Sequence, residues 1–299
     1  MRSILGDHKH IIVIFIDGIG VGESNADFNP CCHSRSGIFL PDTKVLPFNG
    51  QKFALDASLD MPGLPQSATG QTSIYTGFNA AKYIGRHLFG YPNKPLRELL
   101  QKRSLFIKLS SLGYQCKFLN AFRPIFFTTP ELFKNKSMSA TTEMNRAAHL
   151  PFLNFADLKK RRALYHEYTN KTLIELGFDV PYTTPEEAAT VIVEESQGCD
   201  LLLYEYFLTD YAGHAQNISL AIEEIHKIEK LIYALLSLLD LNDTFLMIIS
   251  DHGNVEDLRT KSHTHNPAFM ALWGSDRNRT LHTILDIYPF LIDSLIQDI

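Results

Sequence analysis

Seven residues spread over most of the chain have side chains suited to metal-assisted hydrolysis. Six carry carboxylate or imidazole groups and the seventh carries a hydroxyl; they are Asp17, Ser67, Asp210, His214, Asp251, His252 and His263. Carboxylate oxygens and imidazole nitrogens are common ligands of zinc and manganese. A serine beside a bound cation becomes a usable nucleophile, because the cation lowers the pKa of its hydroxyl. The set therefore predicts a metal-dependent hydrolytic site.

Ser67 is the predicted nucleophile. It follows Gly63 and Pro65, and the residues after it read as the start of a helix. A hydroxyl at a helix N-terminus lies near backbone N–H groups and the positive end of the helix dipole, which stabilise an anion. The alternative is that Ser67 is only a helix N-cap. In that case the nucleophile would be another hydroxyl of the same segment, from Thr69, Thr72 or Ser73.

The six predicted ligands occur in short motifs, each of which has a second interpretation. Asp210 and His214 are four residues apart, so they can share an ion, or the aspartate can be a helix cap. Asp251 and His252 directly follow an apolar run, where burying two ionisable groups is costly unless they have a role. Asp17 begins a glycine-rich turn and is either a ligand or a turn residue.

The histidine motif near the C-terminal end leaves its ligand open. His263 and His265 are separated by one residue, and only one of them is needed as a metal ligand. We predict that His263 binds the metal and that His265 contacts the substrate.

Buried strands and amphipathic helices alternate along the chain, which predicts an α/β fold with a mostly parallel sheet covered by helices on both faces. Apolar runs predict strands at residues 11–16, 115–119, 201–204, 245–249 and 269–272. Apolar spacing predicts helices at residues 95–112, 217–239 and 281–296. The predicted ligands follow strands, and ligands of open α/β sheets bind at the carboxyl ends of the strands. One crevice is therefore expected to collect them.

Residues 122–184 are less regular than the rest of the chain and include a predicted helical segment at 154–176. We interpret them as a small cap-like insertion within a single domain that spans residues 1–299.

Composition excludes several classes of function. The formal charge of −5 gives no general affinity for nucleic acid, and no apolar run is long enough to span a bilayer. The four cysteines show no disulfide or C-x-x-C spacing, which indicates a reducing compartment. We expect a cytoplasmic protein that binds a small molecule and neither nucleic acid nor membrane; its oligomeric state is left open.

Taken together, these motifs resemble the alkaline phosphatase superfamily. Within it the chain is most similar to the metalloenzyme branch that holds cofactor-independent phosphoglycerate mutase and phosphopentomutase. The resemblance rests on Gln66-Ser-Ala-Thr-Gly70, on Asp251-His-Gly-Asn254 and on His263-Thr-His-Asn-Pro267. It covers residues 11–30, 63–87 and about 186–275, and it implies an alkaline-phosphatase-like core.

The resemblance also implies two divalent cations, Mn²⁺ or Zn²⁺, and a phosphoserine intermediate. Asp17, Ser67, Asp251 and His252 would hold the first cation, and Asp210, His214 and His263 the second. The implied activity is hydrolysis of a small phosphate ester; a sugar-phosphate mutase or a non-catalytic metal-binding regulatory protein is the alternative.

The chain also departs from these relatives. It lacks the large inserted domain of the phosphoglycerate mutases, and it has Gln71 where the mutase segment carries a histidine. Arg86 and Arg123 are candidate phosphate-binding residues, or else surface residues.

Overall fold

The computed structural model describes residues 10–129, 138–274 and 280–296. Its centre is a seven-stranded sheet with the spatial order β2-β3-β7-β6-β1-β5-β4. The strands are β1 (His10–Ile16), β2 (Val45–Leu46), β3 (Gly50–Leu55), β4 (Cys116–Phe118), β5 (Leu201–Tyr206), β6 (Thr244–Ile249) and β7 (Ala268–Trp273). All five predicted strands are present, and β2 and β3 at one edge are additional.

The sheet is mixed. Strands β4, β5, β1 and β6 run parallel, whereas β7 is antiparallel to β6, β3 to β7 and β2 to β3. Because β7 is reversed, its first residue lies at the same edge as the last residues of β1, β5 and β6. The loop that joins β6 to β7 therefore begins and ends at this edge, where the loops after β1 and β5 also begin.

Helices cover both faces of the sheet, as the sequence predicts. Alternate residues of β1 point to opposite sides: Ile12 and Ile14 belong to one apolar cluster, and Ile11 and Val13 to the other. The first cluster includes side chains from Pro185–Ser196 and Ile218–Leu238; the second includes side chains from Ser67–Thr76, Lys94–Arg103, Leu105–Ser111, Ala140–Ala147 and Ile287–Ile296. The predicted α/β fold is confirmed.

Shorter helices complete the described chain. They are the α-helices Ala80–Ile84, Pro124–Thr128, Phe155–Lys159, Lys171–Glu175 and Leu208–Ala215, and the 3₁₀ helices Pro30–His33, Pro47–Asn49 and Ile284–Asp286. No helix within the described ranges has the length and apolar character needed to cross a membrane.

Two helix predictions are corrected by backbone conformation. The helix expected at 95–112 is broken at Ser104, whose extended backbone (φ −63°, ψ 156°) separates Lys94–Arg103 from Leu105–Ser111. The helix expected at 154–176 is limited to Phe155–Lys159 and Lys171–Glu175. Left-handed backbone at Arg161 (φ 57°) and Asn170 (φ 63°) interrupts it, which an α-helix does not tolerate.

The end of the chain and the middle segment differ in smaller ways. The predicted helix at 281–296 begins with the 3₁₀ turn Ile284–Asp286 and continues as Ile287–Ile296. Within residues 122–184, positions 130–137 lie outside the described residues. Part of the segment forms a small apolar cluster beside the main core, built on Leu158, Ala163, Leu173 and Val180.

Candidate metal centre

The predicted ligands lie at the expected edge of the sheet. Asp17 directly follows β1, Asp251 and His252 come just after β6, and Asp210 and His214 lie on the helix Leu208–Ala215 after β5. His263 lies in the loop before β7, which the reversed direction of that strand brings to the same place. Residues far apart in sequence thus meet because their strands share one edge.

Two groups of three residues form side by side. One contains Asp17, Asp251 and His252, the other contains Asp210, His214 and His263, and the ligand atoms within each group all lie within 4.8 Å of one another. The rings of His252 and His263 link the groups, because they stack with their centroids 3.7 Å apart. The structure therefore brings together all six predicted ligands in the two sets that the resemblance implies.

The spacing of the donor atoms fits metal coordination. His252 Nε2 is 3.4 Å from Asp17 Oδ1 and 3.5 Å from Asp251 Oδ2. Two ligand atoms bound to one ion at about 2.1 Å in tetrahedral geometry lie about 3.4 Å apart. In the second group, Asp210 Oδ2 is 3.2 Å from His214 Nε2 and Asp210 Oδ1 is 3.7 Å from His263 Nε2.

Several donor atoms are buried without a hydrogen-bond partner, which also fits a cation. They include Asp17 Oδ1, Asp251 Oδ1 and His263 Nε2. The Nδ1 atoms of the two histidines in the second group are held by backbone carbonyls: His214 Nδ1 is 2.6 Å from Lys261 O and His263 Nδ1 is 2.8 Å from Pro65 O. An Nδ1–H that donates to a carbonyl leaves the Nε2 lone pair free for a metal.

The two carboxyl groups of the first group are buried and lie close to other carboxyl groups, and both effects raise their pKa values. Burial and the nearby Asp251 raise the pKa of Asp17, and burial and the nearby Asp210 raise the pKa of Asp251 to about 7. Burial lowers the pKa of His252, and burial together with His252 lowers the pKa of His263 to about 4. The buried imidazoles are thus neutral near pH 7, the form that binds metals, and a cation would relieve the repulsion between the carboxylates.

Asp210 behaves differently from the other two aspartates. Burial alone would raise its pKa, but the hydrogen bond with His214 and the nearby His252 outweigh burial and lower it. The same hydrogen bond raises the pKa of His214 to about 8. Asn254 Nδ2 also donates to Asp210 Oδ1 at 2.6 Å and holds this carboxylate in place.

Ser67 is the first residue of the helix Ser67–Thr76, and Gln66, not Ser67, is its N-cap. The Ser67 hydroxyl is 3.0 Å from His252 Nε2, at the first group of ligands. The alternative hydroxyls are engaged by the backbone instead: Thr69 and Thr72 donate to carbonyls of Gln66 and Ala68, and Ser73 accepts from Ala80 N. The geometry therefore favours Ser67 as the nucleophile.

The three substrate-binding candidates are placed differently. Arg123 lines a cavity of about 590 Å³ that opens onto Ser67, Asp17, Asp210 and His214. Arg86 and His265 are exposed and do not line that cavity. Of the three, only Arg123 is in a position to contact a substrate in the cavity.

Three buried residues of the site have no role that could be predicted from the sequence. Gln71 Nε2 lies 3.1 Å from Asp251 Oδ2 and 3.3 Å from Asp17 Oδ2, so its amide lies between two predicted ligands. Glu205 faces the cavity, accepts a hydrogen bond from Thr141, and has its pKa raised to about 7 by burial. An acid inside the apolar strand β5 is the sequence signal that would have identified it. Glu256, the third, accepts hydrogen bonds from Gly20 N and Asn254 N, which lie in two loops that carry predicted ligands.

Glycine is required where the loop after β1 passes the second group. Gly18 has φ +69°, and a Cβ on it would lie 2.6 Å from Asp210 Oδ1. A side chain at this position would displace a predicted ligand, so the glycine-rich turn serves the close approach of Asp17 and Asp210.

The two neighbouring histidines give a matched test of the ligand assignment. We expect His263→Ala to weaken binding of the second cation by about 10-fold or more, because a buried donor atom is lost. His265→Ala is expected to leave the affinity unchanged, because this side chain is exposed. Calorimetric titration of each metal-stripped variant measures both, and the reverse ranking would assign the ligand to His265.

Comparisons with known proteins agree with this geometry. A family model described as the Metalloenzyme superfamily matches residues 9–286. The 2,3-bisphosphoglycerate-independent phosphoglycerate mutase of Helicobacter pylori strain 26695 is 25% identical over 171 residues, covering 55% of this chain and 31% of the mutase. The corresponding mutase of Agrobacterium fabrum is 25% identical over 122 residues, covering 36% of this chain and 24% of the mutase. The chain thus matches less than a third of the length of these relatives.

Solved structures support the fold. The PH0037 protein from Pyrococcus horikoshii superposes with a TM-score of 0.60 at 13% identity, covering 98% of both chains. The alkaline phosphatase from the Antarctic bacterium TAB5 superposes with a TM-score of 0.57 at 13% identity, covering 97% of this chain and 98% of the phosphatase. At this identity the likeness concerns the fold alone, and that fold is the alkaline-phosphatase-like core that the resemblance implies.

Proposed function

Because the chain belongs to the Metalloenzyme superfamily, whose model covers nearly all of it, we propose that it is a two-metal phosphoric ester hydrolase. Ser67 is the nucleophile of this proposal and carries the phosphoryl group as phosphoserine. The observation that carries the proposal is the position of the Ser67 hydroxyl, 3.0 Å from His252 and beside two adjoining groups of ligand atoms. A cation bound at these ligands would activate the Ser67 hydroxyl as a nucleophile.

Each proposed cation has its own set of ligands. Asp17, Ser67, Asp251 and His252 would hold one, and Asp210, His214 and His263 the other; both cations are Mn²⁺ or Zn²⁺ in this proposal. When bound, the cations supply the positive charge that lowers the pKa of the Ser67 hydroxyl and neutralises the phosphoryl oxygens. Gln71 holds the Asp17 and Asp251 carboxylates, and Asn254 holds Asp210.

The proposed reaction has two displacements. In the first, the Ser67 hydroxyl gives up its proton and its oxygen forms a bond to phosphorus, the bond from phosphorus to the substrate alcohol oxygen breaks, and that oxygen takes up one proton in exchange and leaves as the free alcohol. In the second, water adds to the phosphorus of phosphoserine, and the Ser67 oxygen leaves and regains its proton. The products are the alcohol and inorganic phosphate. Arg123, at the wall of the cavity, is the proposed partner of the substrate's negative charge.

A sugar-phosphate mutase is the second candidate, and the similarity to phosphoglycerate mutases favours it. The two activities differ in what accepts the phosphoryl group from Ser67. Water as the acceptor releases inorganic phosphate, whereas a second hydroxyl of the same substrate gives an isomeric phosphate ester. Phosphate release and isomer formation, measured in the same reaction, separate the two.

The experiment that tests the proposal is hydrolysis of an aryl phosphate by metal-stripped protein resupplied with Mn²⁺ or with Zn²⁺. We expect phosphate release only with added metal, and the more active ion identifies the preferred cofactor. Metal-bound protein that releases no phosphate from this ester, and none from glycerol phosphate, would contradict a general phosphoric ester hydrolase.

The remaining expectations on partners and location become part of the proposal. All four cysteines are free thiols, which suits a reducing cytoplasm. We propose a small-molecule phosphate ester as substrate, with no nucleic acid or membrane partner, and residues 122–184 as a cap over the site within one domain. Arg123, Tyr165 and His166 from this segment line the cavity, which supports the cap.

Metal removal is expected to lower thermal stability in a pH-dependent way. A cation present at 100 times its Kd stabilises a protein by about 2.7 kcal/mol, which corresponds to about 4 °C per site for a chain of this size. At pH 5, Asp251 with a pKa of about 7 and His214 with a pKa of about 8 hold protons that the cation must displace. At pH 8.5 Asp251 has lost its proton and His214 has lost most of its own.

The gap in Tm between metal-loaded and metal-stripped protein should therefore widen as the pH rises from 5 to 8.5. Differential scanning calorimetry at matched ionic strength measures this gap. A gap that is the same at both pH values would mean that these two groups do not bind the cations.

A further inference from the structure

The cavity beside the predicted metal ligands is much larger than a phosphoryl group requires. Its volume of about 590 Å³ lies within the range of sites for small organic ligands. Much of its wall is aromatic and includes Phe89, Tyr91, Phe122, Phe126, Phe207 and Tyr211. The side of the cavity that would receive the leaving alcohol is therefore apolar.

Helical geometry ties this wall to the metal ligands. One face of the helix Leu208–Ala215 borders the cavity. It carries Tyr211 and His214, and the N-cap Phe207 continues the same face, because the three are spaced by four and three residues. His166 from the middle segment stacks on Phe207, with ring centroids 4.1 Å apart and planes inclined by 27°. A flat group bound next to the second ligand set would meet aromatic faces.

Two of these aromatic side chains are exposed at the opening. Phe89 is 67% exposed and Tyr211 is 66% exposed. Phe89 also lies against two predicted ligands, with its ring centroid 6.3 Å from His214 and 6.1 Å from His263. Large exposed rings beside a catalytic site are unfavourable in water and favour a ligand that covers them.

Three polar side chains of the same wall are already engaged in hydrogen bonds. Asn120 uses its amide nitrogen on Glu205 O and its amide oxygen on Glu205 N. Ser139 and Thr142 hydrogen-bond to each other. Among the described residues that line the cavity, Arg123 is the only lysine or arginine. An alcohol with a second phosphate would therefore find no second lysine or arginine among these residues.

We propose that the substrate is a phosphomonoester whose alcohol carries a flat aromatic or heteroaromatic ring, and that the ring stacks on Phe89 and Tyr211. This inference deepens the proposed function and rests on it. The phosphoryl group lies at Ser67, and the ring occupies the aromatic part of the same cavity. Aryl groups and nucleobases share this chemistry, and the test separates them.

Binding to the Ser67→Ala protein, saturated with Mn²⁺ and separately with Zn²⁺, tests the proposal without turnover. Two matched pairs are compared by calorimetry: AMP against ribose 5-phosphate, and phenethyl phosphate against ethyl phosphate. We expect about 10-fold tighter binding of the ring-bearing member. A preference in the AMP pair alone identifies a nucleobase, and one in the phenethyl pair alone identifies an aryl ring. Equal affinities within both pairs would overturn the proposal.

Substitutions in the aromatic wall test where the substrate ring binds. Tyr211→Ala and Phe89→Ala, both at exposed positions, are expected to bring the affinity ratio within each preferred pair to within about 2-fold of one. Tyr182→Ala is the matched control, because Tyr182 is also exposed (58%) and does not line the cavity. A ratio unchanged in Tyr211→Ala and Phe89→Ala would contradict the stacking site.

The two proposals fail in different ways. If the protein prefers ring-bearing ligands but the wild type releases no phosphate, the proposed hydrolase activity is contradicted and the proposed ring-binding site is retained. If the wild type releases phosphate but shows no preference for ring-bearing ligands, the ring-binding site is contradicted and the hydrolase activity is retained.

Discussion

Replacing Ser67 with alanine is expected to reduce metal-dependent phosphate release by about 10³-fold or more, because the proposed phosphoserine cannot form. The hydroxyl is 3.0 Å from His252 Nε2 and beside the first ligand group. The aspartate and histidine ligands remain, so metal binding and fold should be largely retained, with at most about 1 kcal/mol lost from the free energy of unfolding. Steady-state kinetics and metal titration of the same preparation measure both effects.

Thr69→Val is the matched control for Ser67→Ala. It also removes a buried hydroxyl from the helix Ser67–Thr76, but that hydroxyl donates to Gln66 O and does not face the ligands. We expect it to lower stability and to keep the activity. Acid quenching during turnover should trap one phosphoryl group on Ser67 of the wild-type protein. Full activity in Ser67→Ala, or a phosphoryl group found on another residue, would move the nucleophile elsewhere.

The ligand set could be predicted because its residues follow strands in sequence. Asp17 and Asp251 come just after apolar runs, and the carboxyl ends of parallel strands lie at one edge of the sheet. His263 lies late in the loop after β6, so that argument alone does not fix its position. Only the reversed direction of β7 brings it to the same edge. Strand direction depends on pairing over long sequence distances, which local patterns do not contain.

The parts that the sequence did not reveal depend on tertiary contacts. β3 carries no apolar run of its own and pairs with β7, more than 200 residues away. In the middle segment, apolar spacing predicted one helix, but left-handed backbone at Arg161 and Asn170 divides it. Glu256 looks like an ordinary polar residue until its contacts are known, and Gln71 is noticeable in the sequence only because it replaces a histidine of the mutase segment. Residues that hold ligands in place lack the metal-binding side-chain patterns that make the ligands themselves recognisable.

Glu256→Gln is expected to weaken binding of both cations by about 10-fold or more, although Glu256 belongs to neither ligand group. This buried carboxylate accepts hydrogen bonds from Gly20 N at 2.9 Å, Asn254 N at 2.8 Å and Asn266 Nδ2 at 3.0 Å, and from the Thr264 hydroxyl. These donors belong to two loops: the one after β1, which carries Asp17, and the one between β6 and β7, which carries Asp251, His252 and His263. One carboxylate therefore sets the spacing of loops from both groups.

The amide in Glu256→Gln would replace an acceptor oxygen with an N–H donor that faces other donors, at a cost of about 3 kcal/mol in the free energy of unfolding. Stability alone cannot distinguish a positioning role from a structural one, so Glu229→Gln is the control. Glu229 is also buried and accepts hydrogen bonds from Arg35 N at 2.9 Å and Ser36 N at 2.8 Å, but it contacts none of the predicted ligands.

Both variants should lose stability, which urea unfolding measures, and only Glu256→Gln should lose metal affinity in calorimetric titration. Because Asn254 holds Asp210, the second cation is expected to be weakened together with the first. Metal affinities that stay at the wild-type value in Glu256→Gln would show that the ligand loops keep their positions without this carboxylate. An equal loss in Glu229→Gln would attribute the effect to general destabilisation.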